Sequence, residues 1–164
     1  MAGAPLTARR ALKLGSMATL FSRIISGELP GRFVWKDDIA VAFLTIEPRA
    51  PGHTLVVPRL EVDRWLDAGE QTMSHLMAVA HRVGEAQREE WASDRAGLMI
   101  EGYMVPHLHI HVWPSWSPYE FHPGGIDRAA QPADLDAAAI RLRSRLRSHG
   151  HGEVVPHEDV TPHE

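Results

Sequence analysis

Val105-Pro106-His107-Leu108-His109-Ile110-His111-Val112-Trp113-Pro114 alternates imidazoles with apolar side chains. Successive side chains of a β-strand point to opposite faces, so the stretch predicts a strand over Pro106 to Trp113. It sets Leu108, Ile110 and Val112 into a core and lines His107, His109 and His111 along one surface. A solvent face that happens to be histidine is the plain alternative, but three imidazoles in strict alternation with an apolar set argue for chemistry. Two chemistries suit them. The imidazoles can ligate a metal such as zinc, whose open coordination activates water. Alternatively, a neutral imidazole can attack an electrophile such as phosphorus while its neighbours stabilise the developing anionic charge. The nearest acidic candidates in the sequence are Glu101 and Glu120.

Upstream, Gly97 to Ile100 reads as a second strand, joined to the first by the short Glu101 to Val105 connection. Before it, Met73, Leu76, Ala80, Val83 and Gln87 to Trp91 follow a 3.6-residue period from Gly69, with Glu70 in the first turn; one long amphipathic helix is expected. His53 to Val57, introduced by Pro51-Gly52 and closed by Pro58, is β-prone. So are Ile39 to Thr45 and Phe33 to Lys36, on either side of the Asp37-Asp38 turn. Links this short pair strands antiparallel. Leu20, Phe21, Ile24 and Ile25 have helical spacing before Gly27 and Pro30, which predicts a short helix.

Downstream, Pro114 to Gly125 is expected to be an irregular loop that includes His122. Leu135, Ala139, Leu142 and Leu146 then form a helical stripe with Asp134 and Asp136 early, arginines late and Gly150 beyond the end. The order αβββαββ with an added C-terminal helix is an α+β domain. Arg141, Arg143, Arg145 and Arg147 are expected to spread over the exposed side of that helix, and His75 and His81 to lie on the surface or at an interface.

The chain has 164 residues, 44% of them hydrophobic, enough for a single packed core. The absence of cysteine excludes a disulfide framework, a Cys-ligated zinc site and a thiol nucleophile. A net charge of −4 argues against wrapping by nucleic acid. No run approaches the ~18 apolar residues of a membrane span, and no uninterrupted apolar signal region opens the chain. The expectation is a cytoplasmic protein without nucleic-acid or membrane partners. Residues 1–16 carry Arg9, Arg10 and Lys13 without an acid and read as a flexible basic segment. Residues 150–164 hold histidines among acids and prolines and are expected to be disordered.

Four segments together resemble the histidine-triad (HIT) family of nucleotide hydrolases and transferases. They are Phe21-Ser22-Arg23-Ile24-Ile25-Ser26-Gly27-Glu28-Leu29-Pro30, then Asp37-Asp38 to Phe43, then Pro51-Gly52-His53-Thr54-Leu55-Val56-Val57-Pro58, and finally the H-x-H-x-H run. The resemblance implies a five-stranded antiparallel sheet with one long and one short helix over residues 17–125, carrying the C-terminal helix as an extension over 126–149. It implies that His109 is the nucleophile, surrounded by His107, His111 and His53, acting on the α-phosphate of a phosphoramidate, dinucleoside polyphosphate or acyl-adenylate through a nucleotidyl-histidine intermediate. No cofactor or essential metal is implied, and cysteines that bind structural zinc in some members would fall near Thr19 and Ser22.

Leu20, Phe21, Ile24, Phe43, Ile46 and Leu55 would form the nucleobase pocket by the same resemblance. Thr45 stands where many members grip the ribose hydroxyls with a carboxylate. Glu101, Tyr103 and Met104 replace an amide, a glutamine and a hydroxyl residue that contact the phosphates or leaving group. A homodimer through the long helix and an edge strand is also implied, with Met77, His81, Gly84 and Arg88 as the outward stripe. Two alternatives remain open: a metal-dependent hydrolase using the same three histidines, and a catalytically weak nucleotide-binding protein.

Overall fold

The computed structural model describes residues 17–157; the basic segment 1–16 and tail residues 158–164 lie outside the described residues. Five strands, β1 (Phe33–Lys36), β2 (Ala40–Leu44), β3 (Thr54–Pro58), β4 (Arg95–Met99) and β5 (Ile110–Ser115), form one antiparallel sheet in the order β1-β2-β3-β5-β4. The helices are α1 (Leu20–Ile25), α2 (Glu70–Glu90) and α3 (Pro132–Ser148). The α+β architecture expected from the sequence is the one observed.

β1, β2, β3 and β5 are buried on both faces while edge strand β4 is largely exposed, and the two-residue period decides which side chain goes where. Ala42, Leu44, Val56, Ile110 and Val112 face α2 and α3, where Leu76, Val79, Val83, Leu142 and Leu146 complete the larger core. Val41, Phe43, Leu55 and Val57 face the other way and pack with Phe21 and Phe33 beneath α1. Because Leu55 pairs with His111 across β3 and β5, the imidazole side of the sheet is the α1 side.

β5 starts four residues later than the alternation suggests. In the register that pairs Thr54 with Val112 and Val56 with Ile110, the residue opposite Leu108 would be Pro58. A proline has no N–H to give to the ladder, so pairing stops there. His107 to His109 therefore precede the strand, and His107 is fully buried rather than displayed on a surface. β4 in turn begins at Arg95, two residues before the expected start, and follows β5 to Ser115. Gly97 is needed in β4 because the Trp113 indole lies across it, and a Cβ there would collide with the ring.

Two expectations about the C-terminal region are corrected. The arginines of α3 are only in part a solvated face: Arg141 lies on the exposed side, Arg145 and Arg147 are half-buried, and all four are engaged. Arg143 is buried and its Nε–H donates to the Phe33 carbonyl at 2.7 Å, Arg141 and Arg145 bond Glu90 of α2, and Arg147 donates to the Pro156 carbonyl. Residues 150–157 are folded, not disordered. The Lys36 N–H donates to the Val154 carbonyl at 2.7 Å, Val155 joins the core at 3% exposure, and the His151 ring lies against Trp35. Two valines among polar residues suffice because they meet the open edge of β1.

Candidate active site

Each of the four histidines, His53 just before β3 and His107, His109 and His111 around the start of β5, has partners that dictate where its proton sits. The His109 Nδ1 lies 2.7 Å from the His107 carbonyl, which can only accept, so Nδ1 carries the hydrogen and Nε2 keeps a lone pair. The Arg49 backbone N–H donates to His53 Nδ1 at 3.0 Å. His53 must then donate through Nε2–H to His111 Nδ1, also at 3.0 Å, which leaves His111 a hydrogen on Nε2. The His107 Nε2–H donates to the Pro58 carbonyl at 2.8 Å, and its Nδ1 shares a hydrogen with the Thr19 hydroxyl at 2.8 Å. The proline that ends β3 thus also anchors the first imidazole of the run.

Burial opposes charging these rings. Desolvation, followed by the proximity of His109 and Arg49, lowers the His111 pKa to about 4. Desolvation, with His111, Arg49 and His109 next in importance, pushes His53 well below its ordinary value. His109 is lowered chiefly by desolvation, against the opposing bond to the His107 carbonyl and the charge of Glu101. These three are neutral at pH 7. A neutral His109 has a free electron pair, as a nucleophile requires.

His109 stands between two cavities. Its ring meets Phe21 edge-on at 4.9 Å, and Phe21 is a wall of an apolar cavity of about 270 Å³. Leu20, Ile24, Phe43, Thr45, Ile46 and Leu55 line the same cavity. Phe21, Phe43 and Leu55 belong to the core beneath α1 as well, whereas Leu20 and Ile46 are exposed at the rim. The Thr45 hydroxyl accepts the Glu47 N–H at 3.2 Å, a contact within its own turn. His109 itself lines the second cavity, of about 340 Å³, with Asp63, Arg64, Trp65, Leu66, Glu101 and Tyr103. Met104, at 90% exposure, lines neither.

One nitrogen of each alternating imidazole is turned to a different group, the Pro58 carbonyl for His107, the His107 carbonyl for His109 and His53 for His111. Among the described residues no group of three histidine, aspartate or glutamate side chains is placed to hold a metal ion. The metal-ligand arrangement weighed from the sequence has no counterpart in this geometry. His122 is engaged locally, accepting the Gly124 N–H.

Several supporting residues escape a reading of side-chain types. Arg49 orients His53 with its main chain, while its guanidinium bonds the carbonyls of Glu120 and His122 and lies 5.4 Å from the Trp113 ring, tying the 114–125 loop to the site. Thr19 caps α1 by accepting the Ser22 N–H and also serves His107. Thr19→Val is expected to leave the buried His107 Nδ1 only its longer contact with the Ser22 hydroxyl, at 3.5 Å, and to cost about 1–3 kcal/mol of stability, whereas Thr19→Ser restores most of it. Denaturant titration of the two variants checks this.

The sequence and the fold both have relatives among known proteins. Residues 26–117 match the HIT domain family. The chain is 33% identical over 102 residues to a purine nucleoside phosphoramidase of Escherichia coli, an alignment covering 57% of this chain and 84% of that one. It is 32% identical over 103 residues to a HIT-like protein of Saccharolobus solfataricus, covering 60% and 74% respectively. A zinc-bound histidine triad family protein of Mycobacterium smegmatis superposes with a TM-score of 0.69 at 28% identity, covering 84% of this chain and 99% of that one. The match to the family takes in more than half of the chain, from the end of α1 through the whole imidazole run, and with it the protein belongs to the HIT family.

Proposed function

We propose that the protein cleaves a nucleotide derivative at its α-phosphorus through a nucleotidyl-His109 intermediate. The observation that carries this reading is the bond from His109 Nδ1–H to the His107 carbonyl, which leaves Nε2 unprotonated on a ring that lines the second cavity and packs on Phe21, a wall of the first. In the first half-reaction the Nε2–P bond forms as the bond to the leaving group breaks, and an amine leaving group takes up one proton. In the second, water attacks phosphorus, the Nε2–P bond breaks and one proton is released. The His111 Nε2–H, set by His53 behind it, offers a donor to the leaving atom or to a non-bridging oxygen. The likeness to a purine nucleoside phosphoramidase supports a phosphoramidate among the possible substrates. The apolar cavity suits a nucleobase, which it would hold by shape and stacking rather than by hydrogen bonds. Incubation with nucleotide radiolabelled at the α-phosphate, followed by a quench that preserves P–N bonds, tests the reading: an acid-labile label on His109 is expected, and binding without label or turnover would assign a nucleotide-binding role instead.

The sugar gives a second test. A carboxylate accepts bonds from two ribose hydroxyls, and charge-assisted bonds contribute roughly 1.5–3 kcal/mol against about 1 for a neutral one. Thr45 lacks that charge and its oxygen already accepts the Glu47 N–H. Adenosine 5′-phosphoramidate should therefore exceed its 2′-deoxy analogue in kcat/KM by less than about tenfold. Thr45→Asp should widen the ratio.

We also propose that the protein is a cytoplasmic homodimer. Met77, His81, Gly84 and Arg88 of α2 line a groove with Gly97 and Leu98 of β4, the open edge of the sheet. Buried Gly84 lets α2 lie close to Ala96 and Val112 of its own sheet, which keeps this face of the helix and strand shallow. Sedimentation at micromolar concentration is expected to give twice the monomer mass of 18.2 kDa.

A further inference from the structure

The second cavity differs in chemistry from the first. Two carboxylates, Asp63 and Glu101, stand at its wall; the charge of Asp63 acts on neighbouring Arg64 and that of Glu101 on the His109 ring. Its one cation, Arg64, is turned to Asp67, with Nε 2.6 Å from the carboxylate, so its charge is already matched. Trp65 and Tyr103 add two aromatic rings, largely open to solvent, and Leu66 and Leu108 add apolar surface. Carboxylates with aromatic faces are the surroundings that attract an ammonium group. They repel a polyphosphate, which would bring several negative charges against the same wall. The charge of Glu101 is also felt at the His109 ring, so the acidic field extends to the reacting nitrogen.

Building on the nucleotidyl-transfer reading, we infer that this cavity is the leaving-group subsite and that it selects amines bearing a second, positively charged nitrogen, with Glu101 and Asp63 as the specificity-determining residues. The leaving nitrogen stays beside His109 while the distal ammonium reaches the carboxylates and the rings of Trp65 and Tyr103. The preferred substrate class is then a nucleoside phosphoramidate of a diamine. A dinucleoside polyphosphate is disfavoured.

The test compares three adenosine 5′-phosphoramidates of similar length, made from 1,4-diaminobutane, n-pentylamine and 4-aminobutanoate. At low salt kcat/KM is expected to fall in that order, by about fivefold at each step, a modest factor because the two carboxylates are exposed and act through a high dielectric. The spread should narrow at 0.5 M salt, where charges interact over only a few ångströms. In Glu101→Gln/Asp63→Asn it should shrink to within about twofold, a ratio taken inside one protein and so unaffected by any general loss of activity. Equal values for the three compounds in the wild type, or a spread that survives the double substitution, overturn the subsite assignment while leaving nucleotidyl transfer intact. No turnover of any of the three, together with no label on His109, overturns both.

Discussion

His109→Ala is expected to reduce kcat/KM for a nucleoside phosphoramidate by roughly 10⁴-fold or more, because the group that forms the covalent bond is removed rather than displaced. No label should then be trapped on the protein. A labelled adduct at the wild-type level in His109→Ala would move the nucleophile elsewhere. The alternation of imidazoles alone would place His109 on a surface, where its loss would hardly affect folding. In the structure it is 6% exposed, packed against Phe21 at 4.9 Å and His111 at 4.8 Å. A partly filled gap beneath α1 should therefore accompany the loss of activity, at about 1–2 kcal/mol of stability. His109→Gln fills more of that space and should be nearly as inactive but closer to wild type in Tm, which separates the chemical role from the packing role.

The second large effect is a loss of stability in mild acid. His53, His109 and His111 all have pKa values lowered by burial, so between those values and the ordinary 6.5 the unfolded chain binds more protons than the folded one. The stability they permit is complete above pH 6.5 and declines as pH falls. For His111, lowered to about 4, the loss by pH 4 is roughly 3 kcal/mol, since one pKa unit corresponds to about 1.4 kcal/mol. Asp37 contributes in a separate window. Hydrogen bonds from Trp35, the Ala40 and Ile39 main chain and His75 outweigh its desolvation and hold it at about 2, so the stability it adds is lost only below about pH 4. Denaturant unfolding at pH 7, 5.5 and 4.5 should show the decline beginning near 6.5. His111→Gln, which can still accept from His53, should flatten the His111 part of the slope without altering the fall below pH 4. A wild-type stability that is level from pH 7 to 4.5 would contradict the neutral, buried state of these rings.

Much of the architecture is carried by local sequence. Apolar, β-prone runs bounded by Pro48, Pro51-Gly52 and Pro58, and period-3.6 runs from Gly69 and Leu135, determine element types and their order. Short links between the strands then leave antiparallel pairing as the natural result. The H-x-H-x-H run, with the segments around Phe21, Asp37 and His53, also determined the family, because residue identity at fixed spacing is a property of the chain itself. The roles of the imidazoles are different, for they depend on which atoms lie across the sheet. Pro58 ends the β3 ladder opposite Leu108, so His107 turns inward to bond the Pro58 carbonyl and its own carbonyl becomes the acceptor that sets the His109 tautomer.

Arg49 fixes His53 by a backbone N–H that any residue except proline could supply, so no side-chain pattern announces it. Asp63 and Trp65, some forty residues before the triad, reach the second cavity only because the segment after β3 folds back beside Glu101. The same limit explains the C-terminal region. The arginines of α3 and the valines of residues 150–157 look like surface and tail until Glu90, the Phe33 carbonyl and the open edge of β1 are brought to them. Spacing along the chain thus determined the elements and the family, whereas proton positions, charge partners and the second cavity were decided by contacts between segments, because a hydrogen bond or a desolvated charge exists only once both partners are in place.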